Sequence, residues 1–274
     1  MIELPPKLDL WLPPRPAIIR QADRELLKLA RRDAIKASRR EASFLPGMQG
    51  VVGMMAVART PSSISYVGAV TNTTDGTTFT FTSASVGAAA AGRKVIIGCV
   101  IRGVATNLTA TYAGNAMTQL AFVDATNASL ALFAIDESVA TTATIVVTGS
   151  GTSMASAKIS IWNGFNCAAT PYAVGSNIVG AVVSTNYVFT SSNMSCPFGT
   201  VVAAVGCYVD GLVASANSTW GVLTERNDGL IEGNPAVVGA ADTTLAGGNP
   251  TLVPTFSAPI SAGFNGGGLL AVCL

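Results

Sequence analysis

The chain has 274 residues, 11% of them charged and 49% hydrophobic, and its 16 Lys and Arg against 15 Asp and Glu leave a net charge of +1. It contains no histidine, which excludes Ser-His-Asp and Cys-His nucleophile pairs, imidazole-bound zinc and the commonest general base. A non-enzymatic protein without a cofactor is expected, and so few charges require its apolar faces to be buried in its own core or against a neighbouring subunit.

Charge is unevenly placed. Residues 1–50 hold ten of the bases, six of the acids and six of the 13 prolines, whereas residues 51–274 hold only 15 charges. In the leading segment, residues 1–18 carry Pro5-Pro6 and Pro13-Pro14-Arg15-Pro16. Fixed φ angles and missing amide donors make this an extended, polyproline-like arm. Leu8, Leu10, Trp11, Leu12, Ile18 and Ile19 are its candidate partner-anchoring residues. An isolated extended strip cannot shelter them, so the arm either docks in a partner's groove or packs back on the body. Docking is favoured because a preformed extended segment loses less entropy on binding.

Residues 19–43 read as one basic helix. Asp23 and Glu25 stand in its first turn and Arg39-Arg40 in its last, matching the helix dipole at both ends. Arg20, Arg24, Lys28, Arg32, Lys36 and Arg40 recur every four residues and form a slowly slanting ridge. That ridge is a solvated face, or a contact with acidic protein surface or packaged nucleic acid. The helix has no interleaved aromatics, and with the near-zero net charge this argues against specific nucleic-acid binding. Residues 44–60 form an apolar connector rich in Gly and Met, whose glycines disfavour a regular helix.

Beyond Thr60 the pattern is that of strands. Phe79 and Phe81 alternate with Thr78, Thr80 and Thr82, and Ala157, Ile159 and Ile161 with Ser156, Lys158 and Ser160. Such alternation predicts half-buried antiparallel strands. Val95 to Ile101 and Val201 to Val209 are apolar on both parities, as in central strands covered on both faces. Turns are predicted at Thr74-Asp75-Gly76, Ala113-Gly114-Asn115 and Asn227-Asp228-Gly229. The two apolar runs are far shorter than the roughly 20 residues of a membrane-spanning helix, and the opening residues lack the regions of a signal peptide. No membrane partner is expected.

The body also repeats itself. Phe81-Thr82-Ser83 returns as Phe189-Thr190-Ser191, and Gly98-Cys99 as Gly206-Cys207. Further matches are Met117-Thr118 with Leu223-Thr224, Asp136 with Asp242, and Thr144-Ile145-Val146 with Thr251-Leu252-Val253. The expected architecture is all-β, with two tandem β-sandwich, jelly-roll-like domains at residues 61–168 and 169–274. A single large sandwich of two halves is the fallback.

The five cysteines contain no Cys-x-x-Cys pair, so zinc and thioredoxin readings fail on spacing. Cys99 and Cys207 are expected as buried free thiols. Cys167, Cys196 and Cys273 are candidates for intersubunit disulfides, with inert unpaired thiols as the alternative. The acids form no dense pair, and no phosphate loop or dinucleotide fingerprint is present. Five Asn-x-Ser/Thr sequons, at Asn72, Asn107, Asn127, Asn193 and Asn217, are read as coincidence in so Asn/Ser/Thr-rich a chain.

The string Leu4-Pro5-Pro6-Lys7-Leu8, continuing through Trp11-Leu12-Pro13-Pro14-Arg15-Pro16-Ala17-Ile18-Ile19-Arg20 and followed by Phe44-Leu45-Pro46-Gly47-Met48, resembles the leader of virion proteins in tailed phages of alphaproteobacteria. Thr77 to Ile101, with Arg93-Lys94-Val95-Ile96-Ile97, is similar to a β-sandwich module of the same phages. The resemblance covers the arm and the first repeat well and the second only loosely. It implies a minor capsid or decoration subunit with major capsid protein as partner, or a neck, collar or head-fibre-base subunit, in a virion assembled in the host cytoplasm. A homo-oligomer is expected. A carbohydrate-binding or adhesin module is the alternative of another class, and Tyr66, Tyr112, Trp162, Tyr172, Tyr208 and Trp220 would then have to form an exposed platform.

Overall fold

A computed structural model describes residues 60–125, 127–151, 153–181, 187–209, 218–231, 236–245, 249–257 and 265–274. The predicted arm (1–18), the predicted helix (19–43) and the connector up to residue 59 lie outside the described residues. The described residues form strands and no helix, as the Thr- and Val-rich alternation predicts. Every strand pairing is antiparallel.

The first half runs through β1 (Ser63–Asn72), β2 (Thr78–Ser85), β3 (Arg93–Val104), β4 (Asn107–Tyr112), β5 (Asn115–Ala116), β6 (Thr118–Ala125), β7 (Ala128–Asp136), β8 (Thr142–Ser150) and β9 (Ser153–Phe165). One sheet has the order β1-β9-β3-β7-β6 and the other β2-β8-β4-β5. Their facing sides bury Phe79 and Phe81 of β2, Val95, Ile97, Cys99 and Ile101 of β3, Ile145 and Val147 of β8, and Ile159 and Ile161 of β9. This is a β-sandwich. The threonines that alternate with the β2 phenylalanines point to solvent.

The second half contains β10 (Ala173–Val179), β11 (Phe189–Thr190), β12 (Met194–Cys196), β13 (Val201–Val209), β14 (Thr219–Gly221), β15 (Thr224–Asn227), β16 (Leu230–Ile231), β17 (Ala236–Thr244), β18 (Asn249–Leu252), β19 (Thr255–Ser257) and β20 (Gly266–Cys273). Its large sheet has the order β10-β20-β13-β17-β15, with β16 also on β17. Its outer layer consists of β11-β19-β14 and the pair β12-β18. Taken strand by strand, β10-β20-β13-β17-β15 follows β1-β9-β3-β7-β6, and β11-β19-β14 follows β2-β8-β4. The outer strands are shorter than those of the first half, and aromatic rings fill the space beneath them. Phe256 stands at the centre, with ring centroids 4.8 Å from Trp220, 5.4 Å from Tyr208 and 6.3 Å from Phe189.

The five-stranded sheet of the first half and the six-stranded sheet of the second then pack on each other. Ile96 and Val100 of β3, Leu130 and Leu132 of β7 and Trp162 of β9 share a core with Val201, Ala203, Val205, Cys207 and Val209 of β13 and Leu270 and Val272 of β20. Four layers thus enclose three cores. Here β3 and β13, each third in its sheet, have both faces covered, as their two-parity apolar runs require. The covering corrects one expectation. Alternation in β9 predicts a half-exposed strand, yet Ser156, Lys158 and Ser160 are buried along with their apolar neighbours, because their face meets the second half.

Register matters to the repeated Gly-Cys pair. Cys99 points into the core of its own sandwich, whereas Cys207 points into the core between the halves. Correspondingly, a Cβ on Gly98 would stand 2.5 Å from Val205 across the seam, and one on Gly206 would stand 2.6 Å from the Phe256 ring. The two strands hold equivalent places in their sheets, but the matched residues face opposite ways, as a one-residue slip dictates. The match of Ile145 with Leu252 also slips. Ile145 lies opposite Phe81, and the residue opposite Phe189 is Phe256, while Leu252 sits in β18 against Met194.

One buried charge stabilises the end of the first sandwich. Arg93 is 1% exposed and faces carbonyl oxygens only. Its Nε donates to Glu137 at 2.8 Å, one terminal nitrogen reaches Val86, Gly87 and Ala88 at 3.2, 3.1 and 2.6 Å, and the other donates to Ala140. Two loops are thereby tied to the start of β3, and the guanidinium replaces its lost hydration with a full set of acceptors.

Two substitutions test this packing. Arg93→Met strands several buried carbonyls and should lower stability by about 3 kcal/mol, read as an earlier midpoint in urea with an unchanged slope. Gly98→Val forces side-chain atoms into the seam and should cost about 1–3 kcal/mol. Gly68→Ala, where a new Cβ would meet nothing within 4 Å, should be close to neutral in the same assay.

Candidate functional site

The predicted anchoring residues Leu8, Leu10, Trp11, Leu12, Ile18, Ile19, Arg20, Arg24, Lys28, Arg32, Lys36 and Arg40 lie outside the described residues. Among the described residues, a cluster of buried polar groups, with Ser156, Lys158, Ser160 and Asp242 at its centre, lies at the seam between the halves. β9 presents Lys158, Ser160 and Trp162 to it on one parity, and β15, β17 and the turn after β15 supply the opposing groups.

Asp242 of β17 is the centre of this cluster. Its side chain is 1% exposed, and both carboxylate oxygens are occupied. Oδ2 accepts the Trp162 indole N–H at 2.9 Å and Arg226 Nε at 2.9 Å, and Oδ1 accepts the second arm of the Arg226 fork at 2.9 Å. The Arg–carboxylate contact is bidentate, and its pairing with Asp242 raises the already high pKa of Arg226 further. Tyr66 of β1 closes the site with its ring edge-on to Trp162, centroids 5.7 Å apart.

Lys158 lies at the other end of the same face, 6% exposed, over the Asn227-Asp228-Gly229 turn. A Cβ built on Gly229 would be 3.1 Å from its Nζ. Burial pulls its pKa down to about 8, and Asp228 opposes that pull. In the turn, Asp228 accepts the Ser218 amide at 3.1 Å, and Ser218 Oγ donates to Glu225 at 3.4 Å. Desolvation, followed by the charge of Asp228, holds the Glu225 carboxyl above its usual range. Two backbone contacts extend the seam: Ser62 N–H donates to Gly199 at 2.7 Å, and the Asn127 side-chain amide to Asn265 at 3.1 Å. With its carboxylate oxygens engaged by donors, the arrangement is suited to clamping the halves together.

Asp136 matches Asp242 in the repeat, yet only Asp242 belongs to the cluster. Asp136 is an exposed partner of Lys94, 2.6 Å away, with 84% of its side chain accessible, beside an open groove of about 320 Å³ lined by Lys94, Thr118, Asp136 and Ala169 among others. One signal for the Asp242 cluster was present in the sequence: with 15 charges over residues 51–274, an aspartate inside Gly239-Ala240-Ala241-Asp242 and a lysine inside Ser156-Ala157-Lys158-Ile159 interrupt strands that otherwise bury.

The cysteines are free thiols. Burial pushes Cys99 and Cys207 up to about 12. Cys167 is half-buried at the end of β9, whereas Cys196 and Cys273 are both buried and share one core. Among the candidate platform aromatics, Tyr112, Trp162, Tyr208 and Trp220 are buried in the cores. The accessible surface of the first outer sheet is instead a hydroxyl face, in which Thr78, Thr148 and Thr109 lie side by side across three strands. Exposed apolar side chains include Val174 and Ile178 along β10, Tyr172 just before it, and Phe198 in a turn. No family model and no curated protein matches this chain.

Two measurements test the seam. A base whose folded pKa lies below its unfolded value binds fewer protons in the folded state, so its burial penalty is fully present below pH 8 and fades as pH rises toward the unfolded value of about 10.4. Wild-type stability should gain about 1 kcal/mol from Lys158 between pH 8 and 9, and Lys158→Met should remove that gain, read as the difference between their urea midpoints across this range. Asp242→Ala leaves the indole N–H and the guanidinium without their acceptor and should cost about 3 kcal/mol; a thermal scan that leaves the midpoint in place would show that the clamp carries no stability.

Proposed function

We propose that this chain is a non-enzymatic structural protein of a tailed-phage virion, a minor capsid or decoration subunit that holds to major capsid subunits through its N-terminal arm and is assembled in the host cytoplasm. The observation that carries the reading is the repeated strand order of two stacked sandwiches behind a leader with ten of the 16 bases. We read each half as a jelly roll. The order β1-β9-β3-β7 facing β2-β8-β4-β5 is what two interleaved Greek keys leave when eight strands roll into a double sheet, with β6 added at one edge. The halves at 61–168 and 169–274 are then two copies of one module, and the second has shortened its outer strands.

Several features support a load-carrying role in an assembly. The modules share a continuous apolar seam, so force applied to one half reaches the other through a packed core. The exposed hydroxyl face and the apolar edge strand β10 are surfaces on which neighbouring subunits can lie. A neck, collar or head-fibre-base subunit would use the same arm on a ring-shaped partner, and copy number separates the two locations. The adhesin reading is disfavoured by the burial of four of its six aromatics.

Mass spectrometry of purified particles tests the proposal, with deletion of residues 1–43 as its mutational arm. The chain should be present at a stoichiometry matching either the shell or a single ring. The truncated chain should fold, with an unchanged thermal midpoint, and fail to join particles. Incorporation at the wild-type level would refute the anchoring role, and absence of the intact chain from particles would remove the virion assignment.

A further inference from the structure

We propose that Cys196 and Cys273 are an oxidation site within one chain, at which a disulfide bonds the C-terminal strand β20 to β12 of the overlying layer. The pairing follows from register. Met194 of β12 packs over Gly175 of β10, where a Cβ would meet its sulfur at 2.6 Å, and Gly175 lies opposite Ala271 of β20. Residues 194 and 196 are the two buried positions of β12, alternating with exposed Ser195. Two residues along, Cys196 therefore falls over the next row of the sheet below, which is Ala173 opposite Cys273. Cys273 turns its side chain to that layer, in the same core as Cys196, Met194 and Leu252.

The polar surroundings fit a reactive pair. The Cys273 thiol donates to Thr200 Oγ1 at 3.3 Å, and the two sulfurs lie near enough to shift each other's titration. The contact with Cys196, aided by Thr200, draws the Cys273 thiol below its ordinary range, while that contact and burial push Cys196 up. Cys273 is thus the attacking sulfur and Cys196 the resolving one.

With hydrogen peroxide as oxidant, the Cys273 thiolate attacks the O–O bond, takes one oxygen as a sulfenic acid and releases hydroxide, which is neutralised by the proton given up. The Cys196 sulfur then attacks the sulfenic sulfur, loses its proton, forms the S–S bond and expels water. Two thiols and one peroxide give one disulfide and two waters. The bond closes the long loop between β12 and β20, which constrains the unfolded chain. Burial makes the same two sulfurs poor partners for another subunit's thiol, which distinguishes this pairing from the intersubunit bridges expected from sequence.

The test uses the full reduced chain, treated with hydrogen peroxide, then unfolded, alkylated and mapped by peptide mass. The expected result is alkylation at Cys99 and Cys207, a peptide carrying Cys196 joined to one carrying Cys273, and a monomer on non-reducing gels. The urea midpoint should rise by about 1 M and return with reductant. Alkylation of both Cys196 and Cys273 after treatment overturns the proposal, as does a sulfinic acid on Cys273 without a bond or a linkage of either sulfur to a second chain. Cys196→Ser should leave Cys273 alkylatable or over-oxidised; if that variant does not fold, Cys196→Ala supplies the same readout, and the wild-type map decides by itself.

Discussion

Everything in the described body depends on two sheets being covered on both sides. A β-sandwich normally leaves its outer faces to water, and its strands then alternate. Here each large sheet faces its own outer layer on one side and the other half on the second side. That constraint dictates the all-apolar β3 and β13, the small residues at the closest approaches, and the low charge of residues 51–274. At the seam Gly98 lets Val205 and Trp162 come within reach of the backbone, and in the second sandwich Gly206 and Gly239 lie under Phe256. These glycines set the layer spacing.

A seam of pure hydrocarbon would hold the sheets together without fixing how they slide. The polar groups supply that registration. The Trp162 indole N–H and the Arg226 fork converge on the oxygens of Asp242, and a displacement of one strand would leave a desolvated carboxylate without donors, which costs more than the contact gains. Lys158 fixes the far end against the β15–β16 turn at the expense of a depressed pKa. Arg93 does within one sandwich what Asp242 does between two: a single charge, satisfied by several partners, holds loops that have little apolar surface of their own.

Much of the fold was legible in residues. The central strands at 95–101 and 201–209 could be read because two-parity apolar runs have one structural meaning in a β chain, and the turns at Ala113-Gly114 and Asp228-Gly229 because positive φ at Gly114, and at Ala113 beside it, is a local demand. The buried polar row of β9 was not legible, because alternation reports that a strand has two kinds of face and does not say what covers the polar one. The opposite facing of Cys99 and Cys207 was hidden for a related reason: a repeat compared letter by letter does not record the pleat, and one residue of slip inverts it. The site at Asp242 is assembled from four strands of two halves, a long-range arrangement that no local spacing encodes. The nearness of Cys196 and Cys273 is of the same kind, since their strands come together only through β10.

Composition first suggested that neighbouring subunits must cover surplus apolar surface. The stacked seam alters that inference. Two charge-poor modules bury their excess against each other within one chain, at about 25 cal/mol for each Å² removed from water, and among the described residues the outside includes a hydroxyl-bearing sheet with scattered apolar side chains, as is normal for a folded protein. The hydrophobic share of the chain therefore no longer requires an oligomer. The case for assembly passes to features of a different kind, the proline-rich leader with its Trp11 and leucines and its row of bases, whose composition gives it little use in a core of its own. In the division of labour we propose, the body is stable by internal stacking and attachment falls to the proline-rich segment, whose leucines and Trp11 a partner would bury.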